Sequence, residues 1–184
     1  MDRDVFILSA TTAGEPAGAI HQALENIDIN PSRVQDAIFG LDSSPSIRNV
    51  EDFVNKAGLT CPSVVVSSGL RAVFFAAQSI LSGDMDLVVV IGLGEKASTV
   101  LMLASPDAVG RYNLLPRARL ATRSLAGIDS ALHNAGLVSG DIAVFKAGES
   151  GSLAVKELLE ELEQGQVQWG MVSTGDLALL VERI

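Results

Sequence analysis

The chain has 184 residues, 48% of them hydrophobic, and a formal net charge of −9 from 13 basic and 22 acidic side chains. Its length and mean hydropathy of +0.35 suit a globular protein with a substantial core. The acidic balance argues against nucleic acid and anionic membrane as partners, and no window reaches the roughly 18 uninterrupted apolar residues that a bilayer span needs.

Met1-Asp2-Arg3-Asp4 leads into the first apolar run without a signal-peptide pattern. The single cysteine, Cys61, excludes an internal disulfide and suits a reducing, cytoplasmic setting. Val5 to Leu8 reads as a short strand ending in a small polar turn, Ser9 to Gly14. A helix is predicted from about Pro16, with Ile20, Ala23, Leu24 and Ile27 on one face. Asp36 to Gly40 is a second strand, and Asp42 to Ser46 a polar loop. Asn49 to Ala57 carries Val50, Phe53, Val54 and Ala57 at helical spacing, with Gly58 as the stop.

The stretch from Ser63 to Gly94 organises the rest. Val64-Val65-Val66 reads as a buried strand. After Ser67-Ser68-Gly69, a helix through Leu81 is apolar on most of its circumference, the pattern of a helix sandwiched between two sheets. Leu87 to Ile91 is a fully buried strand, and Ser98 to Ala104 follows it after a short turn, hence antiparallel at that edge. Arg111 to Pro116 is a connector. Beyond it come a strand from Arg117 to Thr122, a helical stripe Ile128, Ala131, Leu132, Ala135, and a strand from Asp141 to Phe145. A helix then buries Val155, Leu158, Leu159 and Leu162, and two strands, Val167 to Ser173 and Leu177 to Val181, close the chain around Thr174-Gly175-Asp176. This order repeats that of the first part. ALENIDINPSRVQDAIF, from Ala23, also echoes ALHNAGLVSGDIAVF, from Ala131. The chain therefore divides into halves 1–116 and 117–184, the second trimmed.

These motifs and their order resemble the thiolase and ketoacyl-synthase superfamily, thiolases most of all. VSSGLRAVFFAAQSILSGDMDLVVVIGLGEKAS is similar to the segment in which the nucleophile motif C-G-S-G-L/M-x-A heads a buried helix. STVLMLASPDAVGRYNLLPRARL is similar to the link between the family's halves, and GESGSLAVKELLEELEQGQVQWGMVSTGDLALLVER to its closing segment. The resemblance implies an α/β, thiolase-like fold of two related βαβα-ββ halves, with mixed sheets and buried central helices in α-β-α-β-α layers. It places Val66 at the family's acyl-accepting cysteine, Phe145 at its activating histidine, and Thr174-Gly175 near its second cysteine. N-E-A-F is absent, and the large loop domain of thiolases is missing between Glu95 and Ser98. A thiolase needs a thiolate, a base and a proton donor within reach of one another. Valine and phenylalanine supply none of them.

Substitutes for that chemistry are weak. Ser67 and Ser68 sit at a predicted helix start, where serine is far more often an N-cap than a nucleophile. His21 and His133 fall on the outer faces of amphipathic helices, and Cys61 reads as a small buried residue. Glu157, Glu160, Glu161 and Glu163 read as the wet side of a helix, not a metal site. Gly92-Leu93-Gly94 lacks the third glycine of a dinucleotide fingerprint. The expected function is a non-catalytic, thiolase-like subunit of acyl-CoA or acyl-thioester metabolism, with no catalytic residues, metal or cofactor. Its partner would be a second copy or a thiolase-like relative, met through Val64–Val66, as the resemblance implies. The alternatives are a binder of an acyl thioester or small anion at Ser67, Ser68, Gly69, Gly148, Ser150 and Gly151, with Phe145 filling part of the cleft, or a residual acyltransferase using Ser67 or Ser68.

Overall fold

The computed structural model describes residues 4–41, 50–147 and 151–184. Nine strands run in the order β3-β2-β4-β5-β1-β6-β9-β8-β7. They are β1 (Val5–Ala13), β2 (Asp36–Leu41), β3 (Ser63–Val66), β4 (Leu87–Leu93), β5 (Ser98–Ala104), β6 (Ala118–Ser124), β7 (Val144–Ala147), β8 (Trp169–Thr174) and β9 (Leu177–Arg183). The six helices are α1 (Pro16–Glu25), α2 (Val50–Lys56), α3 (Gly69–Ser82), α4 (Pro106–Tyr112), α5 (Ile128–Ala135) and α6 (Gly151–Gly165). The two expected sheets are the two ends of one hydrogen-bonded sheet, joined where β1 meets β6 antiparallel at Val5–Leu120, Phe6–Arg119 and Ile7–Ala118.

The layering follows from where the apolar residues point. β4 is buried along its whole length because its side chains serve two cores. Val88 and Val90 face α3 and α6, in a core that also takes Val172, Leu179 and Val181 from β8 and β9. Val89 and Ile91 face the other way, into a core closed by α1, α2 and α4 residues such as Ile20, Val54 and Ala108. A smaller third core sets Ala131 and Leu132 of α5 against Met171, Ala178 and Leu180. The layers are thus helix, sheet, α3 with α6, sheet, helix. This is the α/β arrangement the sequence suggests.

Several local expectations change. The polar run after Leu8 does not turn: β1 continues to Ala13, paired with β5 out to Ser98. Its hydroxyls are satisfied by α1, Ser9 Oγ donating to Ala23 O at 3.1 Å and Thr11 Oγ1 to Ala19 O at 2.9 Å. That removes the cost of burying them. β5 is antiparallel as expected but interior, lying between β4 and β1. Asp141 ends a 3₁₀ turn, so β7 begins only at Val144. Residues 106–112 add a short helix, α4, capped by Ser105, whose Oγ accepts from Ala108 N. Val64–Val66 is an outer strand, paired only with β2 in the described structure, and Val64 is 48% exposed. The central helix is likewise not covered all round: Arg71, Phe75, Gln78 and Ser82 form an exposed stripe. The expected loop 42–46 lies outside the described residues.

Charged pairs tie the two ends of the sheet together. Arg119 on β6 reaches Asp4 at 3.0 Å and Glu182 at 2.5 Å. Arg117 grips Glu163 of α6 with two hydrogen bonds, 2.7 and 2.8 Å. This bond, above all, holds the Glu163 carboxyl below its usual range. A carboxyl depressed on folding stabilises the fold above the ordinary carboxylate range and loses that contribution as pH falls through its folded value. Glu163→Gln is therefore expected to flatten the acid limb of a thermal-stability profile below about pH 5, by no more than about 1 kcal/mol for so exposed a pair. The Tm measured across that range, wild type against variant, checks it.

Candidate functional site

The start of α3 is placed by backbone contact. Near the end of β2, Gly40 lies so close to α3 that a Cβ there would sit 2.4 Å from Gly69 Cα. On the other side, a Cβ on Gly151 at the start of α6 would sit 2.4 Å from the backbone nitrogen of Leu70. Only glycine permits both approaches, so β2, α3 and α6 lock together at one crossing. Ser68 then caps α3, its Oγ accepting from Arg71 N at 3.3 Å. The expected capping role is the one it has.

A cleft of about 470 Å³ opens over that crossing. Ser67, Ser68 and Arg71 line one wall, and Thr174, Gly175, Asp176 and Leu177 of the β8–β9 hairpin another, with Leu125 between them. The hairpin is tied down by Gly127 N, which donates to Asp176 O at 2.7 Å. The Ser67-Ser68 turn and the Thr174-Gly175 hairpin therefore share one cleft. Val66 lies just before that turn, half-buried and packed on the central core. Phe145 does not fill the cleft: it stands on β7 at the far edge of the sheet, 50% exposed. Gly151 is buried against Leu70 and Gly69 against Gly40, so both support the cleft from beneath. Gly148 and Ser150 lie outside the described residues.

The titratable lining of the cleft is Arg71 and Asp176. Sequence reasoning missed both, together with Leu125 and Leu177. The one signal available for Arg71 was its charge, alone in the otherwise apolar run that starts α3. His21 and His133 are exposed on α1 and α5, as expected. Cys61 is half-buried, not fully buried, and burial pushes its thiol up, away from a reactive thiolate. The carboxylates of α6 serve basic neighbours: Glu160 pairs with Lys156 at 2.6 Å, Glu161 with Lys146, and Glu163 with Arg117. Among the described residues no group of His, Cys, Asp or Glu could hold a metal ion. In chemical terms the cleft offers one guanidinium, serine hydroxyls and a helix start to an anion. Asp176 opposes a second negative charge.

No protein-family model matches the chain. Over 84 residues it is 38% identical to an acetyl-CoA acetyltransferase of Chromobacterium violaceum, a match covering 41% of this chain and 21% of the other. It thus spans about a fifth of the curated relative it matches. Its structure matches human mitochondrial 3-ketoacyl-CoA thiolase, solved in complex with CoA, with a TM-score of 0.87 at 12% identity, covering 99% of this chain and 98% of that one. The fold is thiolase-like. Between Leu93 and Ser98 the chain turns tightly, Gly94 N donating to Ala97 O at 3.1 Å, and leaves no room for an inserted loop domain.

If the glycine crossing sets the cleft, Gly40→Ala and Gly151→Ala should each cost about 1–3 kcal/mol through forced backbone shifts. Ser68→Ala should cost about 1 kcal/mol, as a lost cap does. Chemical denaturation of the three variants measures both, and a neutral Gly40→Ala would show that the crossing yields easily.

Proposed function

We propose that this chain is a non-catalytic, thiolase-like subunit of acyl-CoA or acyl-thioester metabolism. It consists of two related halves, 1–116 and 117–184, and pairs through β3 with a second copy or an active relative. The observation that carries this reading is the state of β3. It is an outer strand of valines, Val64 is 48% exposed, and Phe75 on the adjacent helix is 46% exposed. An uncharged strand edge flanked by exposed apolar side chains is a pairing surface. The missing chemistry supports the same reading. Val66 cannot be an acyl acceptor, Phe145 is at the other end of the sheet, and no cysteine stands at Thr174-Gly175. Ser68 already accepts the Arg71 N–H as a cap, and no histidine lines the cleft beside Ser67. A serine nucleophile needs such a base. The lone half-buried cysteine is in keeping with a cytoplasmic setting.

A second reading, a small-anion binder, is favoured by Arg71 at the cleft mouth. It extends to carboxylate-sized ligands better than to coenzyme A, because the four-residue β4–β5 turn supplies no loop domain and the net charge of −9 opposes a polyanion.

Three outcomes are expected. The purified protein should neither cleave nor condense acyl-CoA thioesters; turnover above background that Ser67→Ala abolishes would establish the acyltransferase instead. Light scattering should give a dimer, and Val64→Lys, placing an unpaired charge in the interface, should give a folded monomer by costing several kcal/mol of association. Calorimetry with coenzyme A should find no binding tighter than about millimolar, an affinity worth ~4 kcal/mol.

A further inference from the structure

The two ends of the sheet finish differently. Aligning the repeated segments puts Phe39 of β2 and Phe145 of β7 at the same place, in D-A-I-F and I-A-V-F. Both face the outer helices, since Phe39 pairs with Ile91 and Phe145 with Met171, each in an outer core. Phe39 is 0% exposed and shares its core with Val50 and Val54 of α2 and with Val65 of β3. Phe145 is half exposed. The difference lies in the connections. Residues 42–68 separate β2 from α3 and supply α2 and β3, whereas residues 148–150 alone separate β7 from α6. Among the described residues no strand or helix stands in that place, so β7 ends the described sheet with one side unpaired.

The inner flank of this edge is acidic. Glu157 and Glu161 of α6 stand beside it, both about half exposed, and share one cation, Lys146 of β7 itself, which lies 4.0 Å from Glu157 and closer to Glu161. Superimposing the helix starts, Gly69 on Gly151, gives Glu157 the place that Phe75 has beside β3. The β3 edge is therefore apolar and the β7 edge acidic with one aromatic ring.

We propose that the β7 edge docks an extended segment of another polypeptide. That segment adds a tenth strand in the place β3 occupies beside β2, and it alternates apolar and basic residues. A strand turns successive side chains to opposite faces. Its apolar residues would cover Phe145 and Ala147, and its basic residues would meet Glu157 and Glu161, while its backbone pairs with the open side of β7. A second copy of this chain is a poor occupant. Each copy carries a net charge of −9, and pairing β7 with β7 would bring two sets of Glu157 and Glu161 together. β3, Ser63-Val64-Val65-Val66, has no basic residue to offer. This surface is at the opposite end of the sheet from the β3 interface and does not depend on it.

The test uses the full chain and a labelled peptide of about eight residues alternating valine and lysine, followed by anisotropy and by hydrogen exchange. The expected result is binding that slows exchange of the β7 amides. A peptide of the same composition with valines and lysines in blocks should bind about tenfold more weakly or worse. Phe145→Lys, and Glu157→Gln combined with Glu161→Gln, should each weaken binding about tenfold, with circular dichroism confirming that each variant is folded, since all three side chains are about half exposed. Equal binding of the blocked peptide, protection elsewhere than β7, or no binding would overturn the proposal. So would self-association that Phe145→Lys abolishes and Val64→Lys does not, because the occupant would then be a second copy.

Discussion

Everything in this molecule is built on the crossing where β2, α3 and α6 meet without side chains between them. Gly40 lies on Gly69, and Gly151 lies on Leu70. The contact brings the starts of the two middle-layer helices together and lets both bury their apolar faces in one core, shared by strands from both halves. It also fixes where the chain emerges at Ser67-Ser68, and so where the cleft stands. Larger residues at these points would hold the layers apart, and close packing in the central core would be lost over its whole length.

The charges are arranged around that core. In a chain with 13 basic and 22 acidic side chains, basic residues are scarce, and several are spent at junctions. Arg119 joins the first residues to the last strand, and Arg117 joins the second half's first strand to α6. Arg183 donates to the carbonyls of Gln166 and Val167, fastening the end of α6. Arg123 is the exception. It lies over the Phe74 ring at 5.4 Å and donates to Gln78, yet its Nε is buried without a partner among the described residues, and burial lowers its pKa. Its seat is made by packing more than by charge.

The position of Phe145 follows from the connection after β7. Only residues 148–150 separate β7 from α6, whereas α2 and β3 stand between β2 and α3. This leaves Phe145 at a free edge, remote from the turn at Ser67. The cores hold the thiolase-like fold together, and the outer strands of the described sheet, β3 and β7, are its distinctive surfaces. The two differ in chemistry, valine and phenylalanine at one, phenylalanine and glutamate at the other.

Much of this was legible in the chain. Strands such as Leu87–Leu93 and Ser98–Ala104 are apolar without interruption because both faces are buried, and that pattern announces itself. The helix α3 was legible from its period. The motif order pointed to the fold. Local composition could not say which strand lies outermost, since Val64-Val65-Val66 reads the same at the rim as in the middle. Nor could it say that Ser9 and Thr11 continue a strand, because their hydroxyls are satisfied by carbonyls of a helix that only folding brings near. The cleft is of the same kind. Arg71, Leu125 and Asp176 are far apart in the chain, and only the tertiary structure made them neighbours around one cleft.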